Sequence, residues 1–373
     1  MRVLHLISVR WFNACAQYAL DAGLAMRSQG AEVFFSGIAG SPIISAAQTR
    51  NFPTVSGIYP NSFNPIKLCL SVVRLRKFIH DNQIDVMVTH RGEDRLLAAA
   101  AAPFSRTGLR TIDVRADIRQ PRDNPLNRFL YKKIIDTKVV PSLFMKGYYE
   151  GFGIGPDMVT VVPQPIDCAG FRDFAPQRNV RSELGLADDV VLTGIVARLD
   201  PVKGHRYLME AANLLSGRPD IKFLVSGEEC AVKRTDLEAL LRPEARANVF
   251  FLPRAADVRE ILPSLTIGVV ASVGSEAICR IGLEMMCFGL PLVATNVHGV
   301  PEIVQNGKGG IVVRPRDGHA LADAIKQLAD DRSKRLRFGR FNEEQARGPF
   351  NMKEFGRAWE RLCQDTEKKA VRQ

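Results

Sequence analysis

The amino-acid sequence predicts an α/β protein made of two doubly wound parallel sheets, and three observations carry that prediction. Continuous Val/Ile/Leu-rich runs alternate with helical patterns, which is how strands covered by helices on both faces read. A lapse into Pro and small polar residues, PQPIDCAGFRDFAPQR over 163–178, interrupts the alternation and marks a linker. The 373 residues also exceed what one hydrophobic core usually serves, so length favours two domains.

The first alternation opens with an apolar strand over 2–8 and an amphipathic helix over 15–28 closed by Gly30. A strand at 32–38, a helix at 65–80, a strand at 85–89, a helix at 94–102 and a strand at 109–113 follow. The segments 125–134, 138–141, 142–149 and 158–162 continue the pattern. The second alternation has strands at 190–197, 221–226, 249–252, 267–271, 291–295 and 310–313, then helices at 318–329, 334–346 and 352–363. The expected domains are therefore 1–170 and 171–350, with a terminal helical segment, 351–373, free to return to the first. Ligands of such sheets sit beyond the C-terminal strand ends, so two of them imply a cleft.

Composition narrows the function classes. Apolar residues make up 46% and charged residues 24%, which excludes disorder as the main state. No apolar run approaches the roughly 18 residues of a spanning helix, and MRVLHLISVRWFNACAQ does not read as a secretory signal, so the cytosol is expected. Seven cysteines, at 15, 69, 168, 230, 279, 287 and 363, contain no CxxC pair and no zinc spacing; all seven are expected reduced, and no metal is expected. The net charge of +11 points to a phosphate-bearing partner or an anionic membrane. Residues 1–170 hold 20 basic against 13 acidic residues, so +7 of the surplus lies there. Nucleic acid is excluded as a partner, because no basic run is interleaved with aromatics.

Two segments carry chemistry. In VARLDPVKGH an apolar strand ends at Ala197, followed by Arg198, by Lys203 five positions later, and by Gly204 opening a helix. Two cations beside a helix N-terminus suit a departing diphosphate, although solvated loop charges would look the same. In GSEAICRIGLEMMCFGLPLVAT, Glu276 falls in the loop after a strand, and Glu284 falls about one turn into the next helix, leaning back toward its start. Both carboxylates would reach one crevice, where a carboxylate can accept two hydrogen bonds from a vicinal diol.

Together these ordered motifs resemble glycosyltransferase family 4, whose members have the GT-B fold of two facing Rossmann-like domains. The resemblance implies that Arg198 and Lys203 grip the donor diphosphate, that Glu276 contacts the donor sugar, and that Glu284 binds the ribose hydroxyls. It places the backbone amides of Cys279, Arg280 and Ile281 against the phosphates. LVSGEEC resembles the family's Gly-bearing turn, with Gly227, and FLPRAADV its nucleobase loop, with Pro253 and Arg254. HGVPEIVQNGKGGIVVRPRD resembles its closing segment. Implied are a nucleotide diphosphate sugar as co-substrate, no further cofactor, a retaining mechanism, and a first domain that takes the acceptor.

The first domain departs from the family. VRWFNA replaces its paired glycines after the first strand, and no His stands in LRTIDVRADIRQPRDNPLNRFLY, where Arg115, Asp117 and Arg119 occupy the neighbourhood. That pattern looks more like the members acting on bacterial surface polysaccharide or lipopolysaccharide core, so a lipid-linked or lipopolysaccharide-type acceptor is expected. His90, Arg115 and Asp117 are candidate acceptor or sugar contacts, His90 because it ends a strand that could open on the cleft. NPIKLCLSVVRLRKFIH sets Lys67, Arg74, Arg76 and Lys77 beside apolar residues, which suits either a helix packed on the sheet or one lying on the inner face of the cell membrane. Two other readings compete: a non-catalytic nucleotide-sugar-binding protein, and a nucleotide-sugar epimerase of the same fold.

Overall fold

The computed structural model describes residues 1–62, 64–102, 108–120 and 123–364. The chain forms two units, one of Met1–Pro165 with the stretch from Met352 onward, the other of Ile166–Asn351. The end of the expected terminal segment, 365–373, lies outside the described residues.

In the first unit the order is β1 (Arg2–Ile7), α1 (Ala14–Ser28), β2 (Glu32–Gly37), α2 (Pro42–Thr49), β3 (Thr54–Val55), α3 (Pro65–Asp81), β4 (Val86–Thr89), α4 (Gly92–Ala101), β5 (Arg110–Val114), α5 (Pro125–Phe129), β6 (Thr137–Val140), α6 (Leu143–Gly151) and β7 (Val159–Val161). The strands form one parallel sheet in the order β3-β2-β1-β4-β5-β6-β7. Asn13, Asn64, Asn124 and Ser142 start α1, α3, α5 and α6, each side-chain oxygen accepting a backbone N–H of the first turn. The segment 125–134 is not a single α-helix. It winds into a π-helical turn at Leu130–Ile134, which buries Leu130 and Tyr131. Sequence patterning did not predict α2 or β3; a strand of two residues leaves no apolar run to detect.

The second unit continues with α7 (Cys168–Arg172), α8 (Val180–Glu183), β8 (Val191–Val196), α9 (His205–Leu214), β9 (Ile221–Ser226), α10 (Arg234–Glu238), α11 (Pro243–Arg246), β10 (Val249–Leu252), β11 (Ile267–Val270), α12 (Arg280–Cys287), β12 (Leu292–Thr295), α13 (Val300–Ile303), β13 (Gly310–Val313), α14 (Gly318–Asp330) and α15 (Arg332–Arg347). Its strands are parallel in the order β10-β9-β8-β11-β12-β13. Both faces are covered: Val191 and Ile195 of β8 pack into the cluster with α9 and α14, while Leu192 of the same strand enters the cluster with α12. That two-sided burial is why these strands read as continuous apolar runs rather than alternating ones.

The last helix, α16 (Met352–Gln364), belongs to the first unit. Trp359 is fully buried there, with Phe355 meeting the Tyr18 ring edge-on at 5.4 Å, and Arg110 donates to the Cys363 carbonyl at 2.9 Å.

The expected linker is built into the structure instead of running free. Ile166 N–H donates to the Phe350 carbonyl at 2.7 Å, Arg172 pairs with Glu343 at 2.6 Å, and the Arg259 guanidinium lies 4.3 Å from the Phe174 ring. The expectation of seven reduced cysteines is also corrected. Cys168 on α7 and Cys287 at the end of α12 form a disulfide across 119 residues, their Cα atoms 5.1 Å apart. Neither cysteine has a close partner in sequence; topology alone brings the two helix ends together inside one apolar cluster. A crosslink that closes so long a loop restricts the unfolded chain, so Cys168→Ser is expected to cost about 2–4 kcal/mol. Calorimetry should show the melting temperature falling by about 5–15 °C in the variant and in reduced wild-type protein alike.

Candidate functional site

Strand order reverses in the second unit at β8, whose neighbours are β9 and β11, and the crevice beyond their C-terminal ends is where such sheets take ligands. Two loops meet there. Val273 N–H donates to the Val202 carbonyl at 2.8 Å. Gly204 caps α9 at φ 72°, and a Cβ there would collide with the Ala271 carbonyl, so only glycine allows the approach. This brings Lys203 Nζ onto Glu276 Oε1 as an ion pair. The two side chains are 21% and 5% exposed, so the carboxylate is the buried partner. Ser272 Oγ donates to the same oxygen at 2.6 Å, and Thr295 Oγ1 donates to the Ser272 carbonyl. Sequence reasoning missed Ser272, although a hydroxyl four residues before a loop glutamate is a visible signal.

The backbone at Glu276 is held from a third loop. Its N–H donates to His298 Nδ1 at 3.4 Å and its carbonyl accepts from Gly299 N–H at 3.3 Å, while Ser275 and His298 both take positive φ, 58° and 49°. Glu284 accepts from Arg280 Nε at 2.9 Å, one turn away on α12, and burial pushes its carboxyl above the usual range. The Cys279 thiol is buried among these groups. Desolvation, and then the charge of Glu276, push it up to about 12, and Lys203 and Glu284 both act on it as well. Of the three expected anion-facing amides, Arg280 N–H is turned to the Ile278 carbonyl at 3.0 Å.

Arg198, on the same loop as Lys203, has a side chain that is 59% exposed, 3.7 Å from Asp200. Lys203 is not a solvated loop charge, because it neutralises a buried carboxylate. Gly227, Pro253 and Arg254 do come together, lining a cavity of about 510 Å³ with Leu199, Glu228 and Arg234 among its other walls. A Cβ on Gly227 would strike the Ala197 carbonyl, and Arg254 Nη1 donates to Glu228 Oε2 at 3.0 Å.

The first-unit candidates separate. His90 is buried, not open to a ligand: its Nε2 shares a hydrogen bond with His5 Nδ1 at 3.0 Å, and burial pushes it down to about 3, so the ring is neutral. The ring, one residue past a fully buried strand, finds a partner for Nε2 inside the protein, while its buried Nδ1 has none. Arg115 Nε lies 2.8 Å from Asp117 Oδ1 at the end of β5. Sequence reasoning missed the group behind them, where Asp113 receives Lys138, Arg95 and Thr89, all buried. Burial opposes ionisation of Asp113, but the two cations overcome it and hold its carboxyl down at about 2. Asp94, on the first turn of α4, accepts from both Ser8 N–H, at 3.1 Å, and Ser8 Oγ, and burial still pushes it up to about 7.

With this geometry in hand, the comparisons fall into place. Residues 189–331 match the family model for glycosyl transferases group 1. The D-inositol 3-phosphate glycosyltransferase of Corynebacterium glutamicum (strain R) is 26% identical over 274 residues, 66% of this chain and 62% of that one. The chain spans about half the length of other curated relatives it matches. Among solved structures, a glycosyltransferase from Rickettsia africae ESF-5 superposes with a TM-score of 0.85 at 16% identity, covering 98% of both chains. Anabaena HepE in complex with UDP superposes at 0.83 with 18% identity, over 98% of this chain and all of that one. The fold is therefore that of the GT-B glycosyltransferases. The segment that matches the glycosyl transferases group 1 model lies within the second unit.

Removing the partner of a buried charge costs more than removing a surface cation, so Lys203→Ala is expected to lose about 2–4 kcal/mol. Lys203→Ala/Glu276→Gln should recover more than half of that in urea unfolding, and equal stability of single and double variants would contradict the pairing. For Asp94, the folded carboxyl titrates near 7 and the unfolded one near 4, so between those pH values the native state holds the extra proton and stability declines as pH rises. Asp94→Asn cannot ionise. The stability of wild type relative to this variant should fall by about 2–4 kcal/mol between pH 4 and pH 8, a difference that denaturation at matched ionic strength will reveal.

Proposed function

We propose that the chain transfers a glycosyl group from a nucleoside diphosphate sugar, held by the second unit, to a hydroxyl of a lipid-linked or lipopolysaccharide-type acceptor, with retention at the anomeric carbon. The observation that carries the reading is the Lys203–Glu276 pair at the β8/β11 crevice, with Ser272 behind it and Glu284 on the adjoining helix. The bond from the anomeric carbon to the diphosphate oxygen breaks, the acceptor oxygen bonds to that carbon on the same face, and the acceptor's hydroxyl proton passes to the departing diphosphate oxygen. Negative charge develops on the leaving diphosphate, and Lys203, a mobile point charge, is the group to meet it. Arg198 stands exposed on the same loop and closes on the diphosphate when donor binds. Glu276, relieved of Lys203, turns its carboxylate to the donor sugar, and Glu284 accepts from the ribose hydroxyls.

The UDP bound by Anabaena HepE supports a nucleoside diphosphate sugar as co-substrate, with UDP the first candidate. Pro253 and Arg254 then face the base in the cavity beside Gly227. The first unit takes the acceptor, with Arg115 and Asp117 as its candidate contacts, and works at the face of the membrane that carries that acceptor.

Thermal shift across UDP, GDP and ADP and their sugars identifies the donor, because a ligand of the folded form alone raises its melting temperature. Release of nucleoside diphosphate that accelerates with acceptor extract marks a transferase; donor binding without release marks the non-catalytic alternative. Glu284→Ala is expected to weaken the bare nucleoside diphosphate at least tenfold, and Glu276→Ala chiefly the intact donor. Equal losses for the bare nucleotide would overturn that division.

A further inference from the structure

Helix α3 turns its apolar residues both ways. Asn64 caps it, accepting from Ile66 and Lys67 N–H at 2.9 and 3.2 Å, and one stripe packs on the sheet through Ser71, Leu75 and Ile79. At the helical spacing of 100° per residue, the opposite line runs through Ile66, Leu70, Val73 and Lys77. The first three are 69%, 48% and 60% exposed. A surface helix of a globular protein normally places polar groups there.

The flanks are cationic. Lys67 and Arg74 lie on one side of that line, Arg76 on the other, and the helix carries a single acid, Asp81, which pairs with Lys77 at 2.8 Å. Expected as a free basic patch, the four cations are in fact partly committed: Arg74 Nη1 donates to the Gly57 carbonyl at 3.0 Å and Arg76 Nη2 to the Ala100 carbonyl at 2.8 Å. Attraction by charge alone is thus weaker than the sequence suggests, and the outward apolar row is what remains to be explained. A second copy of this chain would set the same cations against each other, whereas an anionic lipid surface complements both the row and its flanks. Among the described residues no helix is long and apolar enough to cross a membrane, so α3 would lie in the interface plane.

We propose that α3 docks on an anionic lipid bilayer, with Ile66, Leu70 and Val73 entering the boundary between headgroups and acyl chains and Lys67 and Lys77 among the lipid phosphates. Its purpose rests on the reading of a membrane-borne acceptor, but its physics does not depend on the transferase reaction.

The test is sedimentation of the full chain with vesicles of phosphatidylglycerol and phosphatidylethanolamine in equal parts, against vesicles of phosphatidylcholine. Wild type should bind the anionic vesicles and retain a residue of binding near 1 M salt, where charge is screened but apolar burial is not. Ile66→Ser/Leu70→Ser/Val73→Ser should weaken binding by about a hundredfold and abolish the salt-resistant part. Ile66→Trp should tighten it. Leu240→Ser/Leu336→Ser, exposed apolar positions of the second unit, should change nothing. Unaltered UDP binding by the triple variant would confirm that it is folded and keep the donor site apart from this result. Wild type that ignores anionic vesicles, or a triple variant that binds like wild type, overturns the proposal. So does a wild-type dimer in sedimentation velocity that the triple variant lacks, since the row would then be a self-association surface.

Discussion

Lys203 crosses from the loop after β8 to a carboxylate on the loop after β11, and much of the second unit is arranged to permit that contact. Glu276 is nearly fully buried, and an ionised carboxylate in that position is tolerated only with a cation and hydrogen-bond donors at hand. Lys203 supplies the cation and Ser272 the donor. For Lys203 to arrive, the two loops must run against each other, which requires the left-handed turn at Gly204 and the bond from Val273 to Val202. The pair lies where strand order reverses, so the topology that opens the crevice also brings the two charges to it.

The same constraint runs along α12. At its start the buried Cys279 thiol accepts from Gly282 N–H, and at its end Cys287 is bonded to Cys168. Glu284 sits between two fixed ends, one turn from the arginine that partners it. A side chain intended to recognise a diol needs such support, because small displacements of a carboxylate lose both hydrogen bonds. The disulfide, remote from the crevice, thus bears on the geometry of the site through one short helix.

Legibility in the sequence followed physical locality. Strands such as β9, β10 and β13 read correctly to the residue because their burial on both faces imposes an uninterrupted apolar run. The placement of Lys203 and Glu276 on loops after strands and of Glu284 on a helix was legible because local spacing sets each position. What could not be read was created by the fold. Cys168 meets Cys287 across 119 residues, and the Pro-rich stretch around it is held by Arg259 and Glu343, far away in sequence. His90 ends a strand, as predicted, yet whether it faces ligand or core depends on His5 lying beside it on β1. Lys203 lies on the loop where the sequence puts it, but it is paired with Glu276, since composition does not tell a cation in water from one folded onto a carboxylate.

Charge makes the same point in the first unit. Its excess of seven basic residues over 1–170 suggests a strongly positive surface, but Arg95 and Lys138 are buried around Asp113, and Arg110 is buried under the Cys363 carbonyl. Those cations hold the sheet to α4 and α16 and add little to a field outside. Counting charges in a sequence therefore overstates long-range attraction wherever cations serve the interior, and a surface property has to be argued from groups that reach solvent. In this unit, the outward line of α3 is such a group. Its apolar members act only at contact and its lysines over a Debye length, so the two would contribute at different stages of approach to a charged surface.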